Sequence, residues 1–273
     1  MSELVLTKIS TDNLEVICNA SRILETPGVA IRISQLVGMP IEKALSALPG
    51  HWSTIVTRTT KTALEKAMDG ALYTLDKQSP RSPLIKTHKL LAGMSGAVGG
   101  AFGVVSLAVE LPISATLMLR SIADIARSEG ESLDDLETRA ACLEVFALGG
   151  DKPAGETADT GYYAIRSLMT KTLGDSAQYV VAQGVSIQST PGLIRLVNAV
   201  ASRFSVPVSQ KLAAQAIPAV GAVGGATVNL IFMDHYQSMA RAHFTVRRLE
   251  KVYGKELVQT AYQNAVKSQQ PIS

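Results

Sequence analysis

The sequence predicts an all-α fold: a helical bundle with a degenerate internal two-fold repeat around two Gly-rich apolar helices, in one domain over residues 1–273. Three observations predict it. Apolar residues recur at helical spacing through most of the chain. The uncharged stretch 90–109 carries Gly-Ala-Val-Gly-Gly-Ala at 96–101, and the same six letters return at 221–226 inside a second uncharged stretch, 212–233. Hydrophobic residues make up 47% of the chain and charged ones only 18%, below the roughly 25% of an average soluble chain. Aromatics are few, so Ala, Gly, Leu and Val supply the excess, as in closely packed helices.

In chain order, residues 1–25 read as a short amphipathic segment with Leu14, Val16, Ile17, Ile23 and Leu24 on its apolar face. Thr26-Pro27-Gly28 is a turn, since Pro fixes φ and Gly accepts positive φ. A helix over about 30–37 follows, interrupted by Gly38-Met39-Pro40. A second, over 41–48, is stopped by Pro49-Gly50. Residues 53–76 give a long helix, and 77–83 (Lys-Gln-Ser-Pro-Arg-Ser-Pro) are a linker. The first uncharged run lies between Lys89 and Glu110. After Pro112 a helix reaches Ser128, with Arg120 and Asp124 as an i, i+4 pair, and Gly130 ends it. Ser132 opens another helix to 148, with a stripe of Leu133, Leu136, Ala140, Leu143 and Phe146.

Residues 149–161 form the longest loop. Tyr162 to Thr172 is helical, and Tyr162, Tyr163 and Arg166 either border a ligand mouth or pack at an interface. Residues 177–187 fit a helix or an irregular buried segment. Thr190-Pro191-Gly192 repeats the earlier turn, a helix runs to Phe204, and Pro207 opens another towards Pro218. The second uncharged run ends at Asp234 and leads into a cationic helix through Lys251. Gly254 interrupts it, and a short amphipathic segment ends near Ala265.

The two halves match in order. Thr26-Pro27-Gly28 answers Thr190-Pro191-Gly192; the Pro40–Pro49 block answers Pro207–Pro218; the hexapeptides follow, then Glu110 with Asp234 and Gly130 with Gly254. Repeat halves of about 26–130 and 190–254 result, with the 53–76 helix and its linker inserted in the first. The repeat requires the two Gly-rich helices to be neighbours about a pseudo-two-fold.

Gly96 and Gly100, Gly99 and Gly103, and Gly221 and Gly225 are each four apart and form flat strips for close backbone approach. Such density costs roughly 1 kcal/mol per Gly against Ala unless packing or lipid offsets it. Three environments fit: the buried centre of a soluble or peripheral protein, apolar hairpins dipping into lipid, or a bilayer span of about 20 residues. Lipid contact is expected at these glycines and at Arg120, Arg247 and Arg248, because cations beside an apolar run attract anionic lipid at about 1 kcal/mol each.

Glu110 and Asp234 each terminate an uncharged run, so each is expected to be partly desolvated with a raised pKa. With His235 or His243 they form a candidate acid–base set; the competing reading is that both are structural ion pairs. No metal or cofactor is expected. His235 and His243 lack the i, i+4 spacing of a zinc-binding His pair, and Cys18 and Cys142 are too far apart for a metal knuckle. Gly93-Met94-Ser95-Gly96-Ala97 is not a nucleophile elbow, and neither hexapeptide is a phosphate loop. A net charge of +3 excludes a general nucleic-acid reading. His51 and His88 are expected at the solvent surface, and Cys142 in the core.

The hexapeptide, Glu110-Leu111-Pro112, the Leu119–Ala126 and Cys142–Leu148 blocks, Ala242-His243-Phe244 and Arg247-Arg248-Leu249-Glu250 together resemble the EcsC protein family, over about residues 20 to 260. That family is named after the third product of a bacterial operon encoding an ABC transporter. The resemblance implies a bacterial, mostly helical protein. Members are sometimes labelled hydrolases or peptidases, but no catalytic motif carries over.

The N-terminus lacks the basic-then-apolar order of a signal peptide. The expected function is therefore that of a cytoplasmic protein, peripheral to or inserted in the inner membrane, binding lipid or another apolar molecule in an envelope or transport process. Its expected partner is the membrane surface or lipid, or a membrane protein for which it acts as a structural adaptor. The rival is a hydrolase, in the narrower form a peptidase, using Glu110 and Asp234 with His235 or His243.

Overall fold

Ten helices and no strand make up the described residues of the computed structural model, which are 9–25, 29–38, 43, 45, 52–74, 84–102, 107–148, 161–173, 191–215 and 221–269. In chain order they are α1 (Thr11–Glu25), α2 (Ala30–Val37), α3 (Trp52–Thr74), α4 (Ile85–Phe102), α5 (Leu107–Ser128), α6 (Leu136–Leu148), α7 (Tyr162–Leu173), α8 (Pro191–Gln215), α9 (Gly221–Tyr253) and α10 (Lys255–Gln269). The expected turns at 26–28 and 39–40, the 77–83 linker, nearly all of the 149–161 loop and the 177–187 segment lie outside the described residues. Of the 41–48 helix only Lys43 and Leu45 are described, both helical.

The longest helix, α9, has 33 residues and is therefore about 50 Å long. The other helices are arranged along it. Over its first half α4 runs antiparallel to it: Gly93 lies against Leu230, Asn229 bonds the Ala92 carbonyl, and Gln237 bonds the Ile85 carbonyl. Along its second half pack α1 and α10. On the other side, α5 packs on α3 and α4, and α8 packs on α3, α6 and α7.

The core centres on α6, which is buried on every side from Ala140 to Leu148 rather than along the single expected stripe. A helix buried all round belongs in the middle of a bundle, and Phe146 there packs at a tilt against Phe204 of α8 and Tyr236 of α9, with centroids 4.7 and 5.3 Å apart. Cys142 is sealed beside them, and burial pushes its thiol far up from its usual pKa.

Several expectations are corrected. Neither uncharged run is one helix: the first is divided between α4 and α5 and the second between α8 and α9. Pro207 opens no new helix but lies inside α8, where packing on both flanks outweighs one lost backbone bond. The helix expected from Ser132 starts at Leu136, because 132–135 form a turn closed by Asp135 N–H on the Ser132 carbonyl. Asp124 pairs with Arg127, 2.6 Å away, instead of Arg120. His88 is buried beside Asp124 rather than solvent-facing. Burial holds its pKa down, and Asp124 only partly offsets this.

The two Gly-rich helices are neighbours, as the repeat requires, and Gly130 and Gly254 both sit just after a helix at φ of 86° and 90°. The repeat itself is not established. The first hexapeptide falls at the end of α4, whereas the second begins α9. Asp234 lies inside a continuous helix, while Glu110 is in the first turn of a new one.

Candidate functional site

Four charges bound the two uncharged runs: Lys89 and Glu110 the first, Lys211 and Asp234 the second. The fold pairs them crosswise. Lys211 Nζ donates to both carboxylate oxygens of Glu110, at 2.7 and 3.0 Å. Lys89 Nζ lies 2.6 Å from Asp234 Oδ1, and Arg32 holds the other oxygen at 2.8 Å. Because α4–α5 and α8–α9 are antiparallel pairs, the described residues of both uncharged runs continue from these charges in one direction. The result is two uncharged helical hairpins side by side on a charged base.

The base is built by four helices. Glu110 is in the first turn of α5, Lys211 near the end of α8, and Asn229 two turns into α9. Asn229 Nδ2 donates to Glu110 Oε1 at 2.9 Å and to the Ala92 carbonyl of α4 at 3.1 Å, so one amide ties three of them together. The Lys211 and Glu110 side chains are 1% and 5% exposed. Burial alone would raise the Glu110 carboxyl, but the Lys211 charge, with its hydrogen bonds and that of Asn229, holds it below the usual range. Asp234 is likewise lowered: Lys89 and Arg32 outweigh its partial burial. The expected raised pKa values are thus corrected in direction, because each acid has a cation of its own.

Beyond the base, α4 continues about 15 Å from Ala92 to its end at Phe102. At the level of the base its outer face exposes Leu90 (66%) and Leu91 (42%), and just beyond it Met94 (62%), with Leu230 of α9 alongside. These positions share one helical face. Gly93 is where the helices meet closely: a Cβ there would stand 3.4 Å from Leu230. Of the expected glycines, Gly225 is buried in α9, Gly96, Gly99 and Gly100 lie on the last turns of α4, Gly221 starts α9, and Gly103 is outside the described residues.

A second polar centre lies at the far end of α9. Tyr162 is buried with its hydroxyl 3.0 Å from His243 Nδ1, and Arg166 donates to the same hydroxyl. Arg166 also forks onto both oxygens of Glu250 at 2.7 and 3.0 Å. His243 is fully buried, and burial, reinforced by Arg166 and Arg247, drives its pKa well down, so the ring is neutral. Arg247, expected to meet lipid, is instead buried between Glu131 (2.9 Å) and Glu137 (3.1 Å), and Arg248 reaches Glu129 at 2.8 Å. Arg247, Arg248 and Lys251 are thus neutralised by the 129–137 segment.

The candidate catalytic residues do not converge. Glu110 and Asp234 are in separate ion pairs, and His243 is nine residues past Asp234, about 13 Å along α9. His235 is buried against Tyr236. Arg120 is not bound to any of them. No cluster of three metal-ligating side chains occurs among the described residues.

Lys211, Asn229 and Glu144 were missed in the sequence. For Lys211 a signal existed: it is the charge that opens the second run, opposite in sign to the one that closes the first. Asn229 carries none, being one amide in an apolar stretch.

The class defined by this arrangement is an all-α protein in which two uncharged antiparallel hairpins stand on a base of crosswise ion pairs, one of them buried. The chain belongs to the EcsC protein family, whose model matches residues 30–249. That match contains both hairpins and their base. No curated protein and no solved structure matches the chain.

Proposed function

We propose that the protein attaches peripherally to a membrane by inserting its uncharged double hairpin into one leaflet, binding lipid in support of an envelope or transport process on the cytoplasmic side. The crosswise pairing of Lys89, Glu110, Lys211 and Asp234 carries this reading, because the described parts of both uncharged runs continue from it in one direction. A reach of about 15 Å is half the hydrocarbon thickness of a bilayer. None of the described helices is long and apolar enough to cross a membrane. Exposed Leu90, Leu91 and Met94 give α4 an apolar outer face, and Lys86, Lys89 and Arg32 stand at headgroup height, where long cationic side chains snorkel. The hydrolase alternative finds no converging acid–base set and is not carried forward.

The test uses the single tryptophan. In a Trp52→Phe background, Met94→Trp should blue-shift on vesicles containing anionic lipid and be quenched by lipids brominated along the acyl chain. Absence of both co-sedimentation at low salt and quenching would overturn the reading.

A further inference from the structure

At the end of α9 away from the hairpins, a cleft of about 290 Å³ opens between α6, α7, α9 and the start of α10. Its size suits a small metabolite. Most charges lining it neutralise one another. Arg166 is taken by Glu250, and Arg247 and Lys251 are held by Glu131 and Glu137. Two groups are left over. Glu144, on the α6 side, is only 8% exposed and has no hydrogen-bond or ion-pair partner among the described residues. Lys255, at the first position of α10, is exposed on the rim and likewise unpaired. A buried carboxyl without a partner is costly, and in native proteins it asks for a ligand or a function.

We propose that this cleft binds a small soluble zwitterion, its ammonium group on Glu144 and its anionic group towards Lys255. Arg166, Arg247 and Lys255 act on the Glu144 carboxylate only at a distance and none bonds it, so the direct-contact position is open to an ammonium group; the rim adds a matching positive charge. A purely anionic ligand would meet Glu144, and Glu137 and Glu250 beside it. If the hairpins enter a membrane as proposed above, a lipid headgroup is excluded by place, since the cleft lies about 40 Å along α9 from its start at Gly221. The remaining argument for the zwitterion does not rest on the membrane reading.

Burial lifts the Glu144 carboxyl to about 7; Arg166, Arg247 and Lys255 pull it down and Glu137 pushes it up. Ammonium binding below that pH must expel the Glu144 proton. Affinity should then be about tenfold weaker at pH 6 than at pH 8.5.

Calorimetry on the full chain with ω-amino acids from β-alanine to 6-aminohexanoate tests this, with ethylamine and acetate as single-charge controls. At least one ω-amino acid should bind, releasing a proton at pH 6. Glu144→Gln, which keeps the shape, should weaken it at least tenfold and abolish the proton release. Lys255→Ala should weaken the ω-amino acid several-fold and leave ethylamine unchanged. No binding up to about 10 mM, acetate binding as tightly as the zwitterions, or affinity unmoved by Glu144→Gln would each overturn the proposal. Should Glu144→Gln fail to fold, the wild-type pH profile and Lys255→Ala decide.

Discussion

Lys211 and Glu110 form a doubly bonded ion pair inside the protein, Nζ to Oε1 at 2.7 Å, although they are a hundred residues apart in sequence and belong to different hairpins. Removing one partner leaves the other charged and buried. Lys211→Met should cost about 3–5 kcal/mol in urea unfolding, and the double variant Lys211→Met, Glu110→Gln should recover much of it. The pH sign follows from the lowered Glu110 carboxyl. Its contribution is complete above the unfolded carboxylate pKa, about 4, and is lost as pH falls further through the folded value. A double variant as unstable as the single one would show that the amide of Asn229, not the charge pair, holds the base.

Leu90 is among the most exposed large apolar side chains and sits on the α4 face expected to meet lipid. Leu90→Asp should lower vesicle partitioning at least tenfold, since a charge near the apolar interior costs on the order of 2.5–3.5 kcal/mol. Stability should change by less than about 0.5 kcal/mol, because the side chain has little packing to lose. Flotation assays and thermal melts on the same sample separate the two effects.

Gly161 lies directly against the Glu25 carboxylate, and a Cβ at that position would collide with it. Glu25 accepts from the Tyr162 amide and the Tyr262 hydroxyl, both at 3.0 Å, and so ties α1 to the start of α7 and to α10. Gly161→Ala should push the carboxylate off both donors and cost about 1–3 kcal/mol. The pairing Gly161→Ala with Glu25→Gln tests the mechanism: if the clash is the cause, the two effects are not additive.

What the sequence discloses follows the range of the interactions. Helices fixed by local periodicity are legible: 53–76 is found at Trp52–Thr74, and 162–172 at Tyr162–Leu173. The two uncharged runs are legible too, and so are three of the four charges around them. Their crosswise pairing is not, because it depends on where the runs fold back, and no period marks that. Arg120 and Asp124 show the same limit: the spacing permits their pairing, but Arg127 is better placed by packing. His88 resembles a surface residue beside a linker until Asp124 closes over it. Pro207 misleads because tertiary contacts on α8 outweigh one missing hydrogen bond. Glu144 had a readable sign, being the lone charge within the apolar stretch 140–148.

Glu144 also has a consequence for stability that does not depend on any ligand. Its carboxyl is raised to about 7, first by burial, against the pull of Arg166 and Arg247. The folded protein therefore binds this proton more tightly than the unfolded chain does. Stability from this group falls as pH rises through the ordinary carboxylate range towards 7 and is level above that. A shift of this size corresponds to a penalty on the order of 3–4 kcal/mol at pH 8. Glu144→Gln removes the ionisation while keeping the volume. It should raise the melting temperature at pH 8, leave it nearly unchanged at pH 4.5, and flatten the profile between. A variant less stable at pH 8 than the native protein would mean that the carboxylate has a cationic partner in solution, and that the cleft is closed by the chain itself.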